Sequence, residues 1–212
     1  MNSLKFFNPR EEIAKHTTVL PHWEQPGATY FVTFRLADSL PVSKLNAWRL
    51  ERKTWLDSHP EPWNEETELE YHQRFSSTIE QWLDAGYGDC TLRDPNAARI
   101  VADALHHFDG KRCVQHAWVI MPNHVHALFT MLGEHELGDL VHSWKSLRAN
   151  QIHTGTRERG KLWQRDYFDR LIRDKAHFKN CMRYIRKNPF RAKLGTKEYL
   201  LHESPWMAGC VH

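Results

Sequence analysis

The sequence predicts an α+β protein with a ferredoxin-like β-α-β-β-α-β core, an antiparallel sheet, a helical insertion after the first strand and a long C-terminal helix. Three observations predict it. Residues 28–36 (ATYFVTFRL) are rich in aromatic and β-branched side chains, as strands are. Runs 114–120 and 124–131 read the same way and are joined by the tight Met121-Pro122-Asn123 connection, so they pair as an antiparallel hairpin. Helical periodicities fall before the hairpin, directly after it and near the end of the chain.

The elements follow in order. Residues 1–27 read as irregular, with Pro9, Pro21, Pro26 and Gly27 as breakers. Residues 41–84 are helical in pattern, and Pro60 and Pro62 divide them into two helices and a loop; Gly86 and Gly88 close the segment. Asp94 followed by Pro95 is a helix start, and Ile100, Val101, Ala104, Leu105 and Phe108 continue at helical spacing. Asp109-Gly110 is a turn into the hairpin. Leu137, Leu140, Val141, Trp144 and Leu147 mark the next helix, and residues 162–172 hold a fourth strand. Asp174 caps a last helix with the apolar stripe Phe178, Met182 and Ile185, and Pro189 is expected to end it. One domain over 1–212 is expected, with its core at 28–194, the insertion at 41–90 and a tail at 195–212.

Composition excludes several classes. The first twenty residues carry charges and lack an apolar block, so no secretory signal is expected. No run approaches the ~20 apolar residues of a membrane span, so no membrane partner is expected. The four cysteines (Cys90, Cys113, Cys181, Cys210) form no CxxC pair and read as thiols of a reducing cytoplasm. Net charge is only +3 but is unevenly spread. Residues 51–89 hold ten acids against three bases, and residues 145–193 hold fifteen bases against four acids. The acidic segment reads as a solvated surface; the basic one is too one-sided for a mixed surface and points to a polyanion partner.

His124-Val125-His126 lies early in a strand. Alternation turns both imidazoles to one face, ~7 Å apart along the strand, where they can share a divalent metal. The plain alternative is two histidines on a half-exposed sheet face. Tyr184 and Asn188 lie four apart on the last helix and share a flank at the border of its buried face, while Lys179, Arg183 and Arg186 project elsewhere. Singly, Tyr184 reads as a core-boundary residue and Asn188 as a helix C-cap. Together with the histidines they describe a nucleophile beside a third metal ligand. A free phenol has a pKa of ~10 and is a poor nucleophile at neutral pH; a metal that polarises a phosphate lowers the demand on it. No GxxxxGK[ST] loop is present, so no nucleotide cofactor is expected.

The runs WVIMPNHVHALF, LWQRDYFDRLIRD and YIRKNPFRAKL resemble the REP-associated tyrosine transposases, a branch of the single-tyrosine HUH transposase superfamily (IS200-like). The resemblance extends from about Thr29 to Leu194 and is weakest across 40–90. It implies that His124 and His126 are the HUH histidines, Tyr184 the catalytic tyrosine and Asn188 the polar residue completing the metal site, where relatives often carry Gln. It further implies metal-dependent cleavage and joining of single-stranded hairpin DNA, as in DNA transposition, through a covalent 5′-phosphotyrosine, with the C-terminal helix as the catalytic one. An imidazole–amide site with open positions suits Mg²⁺ or Mn²⁺.

Trp163 and Tyr167 are candidates for stacking on bases, or equally strand core residues. Arg165, Arg170, Arg173, Arg183, Arg186, Lys187 and Arg191 are candidates for phosphate contacts, or solvated charges. His106, His107 and His116 read as structural. Two rival functions stand: a domesticated, non-catalytic repeat-binding regulator, and a hydrolytic metal-dependent nuclease. A monomer and a homodimer with two active sites both fit the sequence.

Overall fold

The computed structural model describes residues 4–17, 21–60, 63–147, 149–153 and 161–206. Of the residues named above, Pro62 and Cys210 lie outside that set.

A two-stranded ribbon comes first, β1 (Ala14–Thr17) and β2 (Pro21–Glu24), paired antiparallel. This departs from the irregular reading of 1–27. The strands are only four residues each, and Pro21 opens the second, so no alternation long enough to read exists. β3 (Thr29–Arg35) follows, buried along its whole length. The insertion comprises α1 (Val42–Ser58), α2 (Glu65–Tyr71), a π-helical turn (His72–Ser76) and α3 (Ser77–Asp84), as two helical runs parted near Pro60. Gly88 sits at φ +85° against Asp38, where a Cβ would meet the carboxylate oxygen at 2.6 Å.

The rest of the core is α4 (Pro95–His107), β4 (Cys113–Ile120), β5 (His124–Met131), α5 (Leu137–Ser146), α6 (Ala149–His153), β6 (Phe168–Leu171) and α7 (Lys175–Arg191). A short β7 (Leu200–Glu203) adds an edge within the predicted tail. The Asp94 side chain accepts from the backbone N–H groups of Asn96 and Ala97, and Asp174 accepts from that of His177, so both predicted N-caps form.

The five strands run β6-β3-β5-β4-β7 and every pairing is antiparallel. Leaving out β7, this is the ferredoxin-like order, and the fold class is the α+β one expected. The two sheet faces carry different cargo. Val32, Phe34, Trp118, Ile120, Val125, Ala127 and Phe129 pack with α4 and α5. Phe31, Ala117, Val119 and Leu128 turn the other way, under Phe178, Met182 and Ile185 of α7. The insertion has its own small core of Trp48, Trp55, Phe75, Ile79 and Leu83, against which Phe168 of β6 packs. Phe168 pairs across the ladder with Thr33, and Thr33 with His126, so these three share the α7 face. The insertion and α7 thus flank one strip of sheet, and the histidines lie in it.

Candidate active site

β5 opens with His124, and alternation sends His124 and His126 to the α7 face while Val125 and Ala127 enter the opposite layer. Each imidazole is 1% exposed. The rings converge at their tips, with Nε2 atoms 3.0 Å apart and centroids 4.6 Å apart.

Each ring is held from behind. His124 Nδ1 lies 2.7 Å from Asn123 Oδ1. The Asn123 amide nitrogen donates to the carbonyls of Leu83 (3.3 Å) and Tyr87 (3.1 Å), which fixes its orientation. Its oxygen must therefore accept from His124 Nδ1–H, leaving a lone pair on Nε2. His126 Nδ1 lies 2.7 Å from the hydroxyl of Thr33, and its ring stacks on Phe31 at 5.5 Å. With Thr33 accepting, both Nε2 lone pairs face one point, the arrangement that outer hydrogen bonds impose on metal-binding imidazoles. Burial pushes His124 down to about 3. His126 is pushed well below its ordinary value by burial, then by His124, Arg170 and Arg191. Both rings are neutral at pH 7, as ligands must be.

α7 brings the other two residues over this pair. Asn188 is fully buried, its Nδ2 3.4 Å from His126 Nε2 and its Oδ1 without a hydrogen-bond partner. The Tyr184 ring stands edge-on to His126 at 5.1 Å and to Phe31 at 5.8 Å, and its hydroxyl is buried with no partner. Burial raises the phenol above its ordinary value; Glu80 and Asp84 add to this, and Arg191 and Arg170 oppose it. Pro189 does not end the helix as expected. It sits inside the last turn, and α7 runs on to Arg191. The missing N–H falls so near the end that the chain closes around it, through Ala192 N–H to Asn188 O and Leu194 N–H to Pro189 O. Asn188 is accordingly not a C-cap; its side chain points at the histidines.

These donors fit a divalent ion. Two imidazole Nε2 atoms converge, and a buried amide within 3.4 Å of one of them has an oxygen with nothing to accept, which a flip of the amide would present to the same point. Among the described residues no three His, Cys, Asp or Glu side chains gather as a metal site. The third donor in this constellation would be the Asn188 amide.

The remaining predicted residues divide. The Arg191 guanidinium lies 5.5 Å from the Tyr184 ring centre and 3.7 Å from Asp84. Arg170, on β6, pairs with Glu80 at 3.3 Å. Arg186 makes a two-pronged bond to Glu203 of β7, and Arg183 bonds Asn180. Arg165, Arg173 and Lys187 are exposed. Trp163 is buried against Phe34 in the α4–α5 layer, and Tyr167 stacks on His22; neither is brought to the histidines. Lys145, counted in the basic stretch, is buried and donates to the carbonyls of Gln164, Arg165 and Asp166. It holds a loop in place.

Sequence reasoning missed Asn123, Thr33 and Phe31 behind the histidines, and Glu80 and Asp84 from the insertion. Thr33 and Phe31 were readable as the alternate positions of their strand. The two acids sit one turn apart on α3, but nothing local to that helix says what they face.

Fold and site together define an α+β protein whose paired histidines lie on one strand beneath a tyrosine-bearing helix. Residues 97–188 match the family described as Transposase IS200 like. That segment carries His124, His126, Tyr184 and Asn188, and over it the chain is similar to this family. Among solved structures, a REP-associated tyrosine transposase bound to a REP hairpin is similar at 14% identity and TM-score 0.38, covering 87% of this chain and 73% of that one. So slight a likeness carries no argument. No curated protein matches the chain.

Proposed function

We propose that the chain cleaves and rejoins single-stranded DNA at hairpin repeats, with Tyr184 as nucleophile and His124, His126 and Asn188 holding Mg²⁺ or Mn²⁺. The observation that carries this is the convergence of two neutral imidazole Nε2 atoms 3.0 Å apart under an unpartnered amide and phenol. The unit is one domain, with its core at 28–194 and the insertion at 41–90. When bound, the ion supplies charge to a phosphate oxygen and orients it for in-line attack. The Tyr184 oxygen forms the new O–P bond, the P–O3′ bond breaks, and the phenolic proton is released as the 3′ oxygen takes one up. The phosphotyrosine conserves the bond energy for rejoining, so no nucleotide fuel is needed. Arg191, 5.5 Å from the Tyr184 ring centre, and Arg170 would meet the phosphate and the developing phenolate, and the charges of both favour the ionised phenol.

The phenolic oxygen is buried, so DNA must displace what covers it. That burial also favours a second reading, a repeat-binding protein that does no chemistry. One experiment separates them. The protein is incubated with the hairpin repeats flanking its own gene plus Mg²⁺ or Mn²⁺, then denatured and electrophoresed. A covalent protein–DNA band is expected from the single-stranded hairpin, and none from its fully paired duplex, which must melt at ~1.4 kcal/mol per step. Binding without a band supports the regulator; cleavage without a band supports water as the nucleophile.

A further inference from the structure

A cleft opens beside the buried site, between the insertion and the β6 edge of the sheet. Its volume is about 120 Å³, below the ~300–1,000 Å³ of drug-sized ligand sites, so it suits a small flat group. Trp48, Arg52, Tyr71 and Ser76 form its insertion wall. Phe31, Thr33, Phe168 and Arg170 form its sheet wall. Two of these residues also support the metal site: Thr33 bonds His126, and Phe31 stacks on it. Whatever occupies the inner end of the cleft therefore lies one side chain from the histidines.

The lining has mixed chemistry. Aromatic rings dominate, and a flat guanidinium lies among them: Arg52 is 5.7 Å from the Trp48 ring centre and 5.5 Å from that of Tyr71, and its Nε donates to the Tyr71 hydroxyl at 2.7 Å. The polar groups are of both signs, since Glu80 lines the cleft beside Arg170 and pairs with it. A phosphate deep in this cleft would meet that carboxylate. A planar, uncharged group with apolar faces and hydrogen-bonding edges meets nothing adverse, and stacks on aromatic and guanidinium planes. Resting on the reading above, we infer that the cleft takes one unpaired nucleobase of the single strand, from a nucleotide next to the scissile phosphate. The insertion then acts as the wall that grips this base, with Arg170 at the phosphate side.

The test uses the full chain carrying Tyr184→Phe, which keeps the DNA uncut, and the same hairpin with each unpaired nucleotide in turn replaced by an abasic one. Affinity is read by fluorescence anisotropy. One position close to the cleavage site should lose about tenfold in affinity when its base is removed, the size expected for one stacked base. Ser76→Phe, which fills the cleft, should weaken the intact hairpin by a similar factor and add nothing for that one abasic hairpin. Arg52→Gln, on the cleft wall and without added bulk, should show the same pattern more weakly. Non-additivity of this kind is the mark of a direct contact. If no position is sensitive, or if both variants weaken intact and abasic DNA alike, the cleft holds no base. Where the wild-type protein still forms its covalent band, only this inference falls; where hairpin DNA is neither bound nor cut, the functional reading falls and takes the cleft with it.

Discussion

The two faces of the sheet obey different rules. On the α4–α5 side, Val32, Phe34, Val125, Ala127 and Phe129 are all apolar and almost fully buried. On the α7 side, the alternate positions of the same strands are the apolar Phe31 and Leu128 but also Thr33, Arg35, His124 and His126, all buried. There too lie the hydroxyl of Tyr184, Oδ1 of Asn188 and Oδ1 of Asp84, all buried without a partner. Each such atom forgoes ~1–3 kcal/mol of desolvation that a hydrogen bond would offset. The first face is apolar along these strands; the second sets, beside an apolar cluster of its own, polar atoms that a ligand would satisfy.

A pair of substitutions should break this comparison most sharply. Tyr184→Phe removes a buried oxygen that bonds nothing, so urea unfolding should show unchanged or higher stability, by up to ~1–3 kcal/mol, while the covalent DNA adduct falls by about three orders of magnitude or more. Phe129→Ala, on the other face, opens a cavity beside Trp144 and Tyr30. It should cost about 3–5 kcal/mol, with the adduct still formed below the lowered melting point. A Tyr184→Phe protein that unfolds easily would place the phenol in the fold's machinery instead.

The metal sharpens the same contrast without any assay of activity. Adding Mn²⁺ at one hundred times its dissociation constant should stabilise the folded state by about 2.7 kcal/mol. The rise in melting temperature should vanish in His126→Ala and persist in His116→Gln, whose ring lies elsewhere on β4 against Thr130. Equal shifts in all three proteins would remove the histidine pair from the metal's binding site.

How much of this was legible depends on periodicity. The apolar stripes were readable on both sides, because Val125, Ala127 and Phe129 facing α4–α5, and Phe178, Met182 and Ile185 of α7, are spaced at the periods that strands and helices impose. The histidine, tyrosine and asparagine positions were readable from spacing and from a resemblance. β1, β2 and β7 were not, because a four-residue edge strand has too few side chains to show a period. The environment of α3 was not, because Glu80 and Asp84 meet Arg170 and Arg191 only through tertiary approach. Lys145 shows the reverse error: a charge counted as surface is buried, its cost offset by three carbonyls.

A buried histidine away from the pair behaves differently. His22, on β2, is 2% exposed and lies between Asp166 and Asp169. Burial opposes its charge, but the bonds to the two carboxylates outweigh that and raise its pKa to about 9. A raised histidine pKa stabilises the fold fully below its unfolded value of 6.5, and the contribution is lost as pH climbs from there through about 9. His22→Gln should therefore destabilise the protein by on the order of 2 kcal/mol at pH 6 and much less at pH 9.5. Thermal melts of both proteins across that range give the answer; a gap that widens with pH would mean His22 is held neutral.

The smallest expected effect concerns the insertion. Glu80 pairs with Arg170 beside the site where a phosphate would dock, and the pair is part-exposed, with side chains 21% and 35% accessible. A phosphate and Glu80 compete for one guanidinium. Part-exposed pairs are worth ~0.2–1 kcal/mol, so Glu80→Gln should tighten hairpin binding about two- to fivefold at low salt. The gain should fade at high salt, where screening shortens the reach of both charges. Asp57→Asn changes net charge equally, but on α1, where Asp57 pairs with Lys53 in solvent. It should leave affinity unchanged. If Glu80→Gln binds DNA more weakly than the wild type, the carboxylate is aiming Arg170 at the phosphate instead of competing with it.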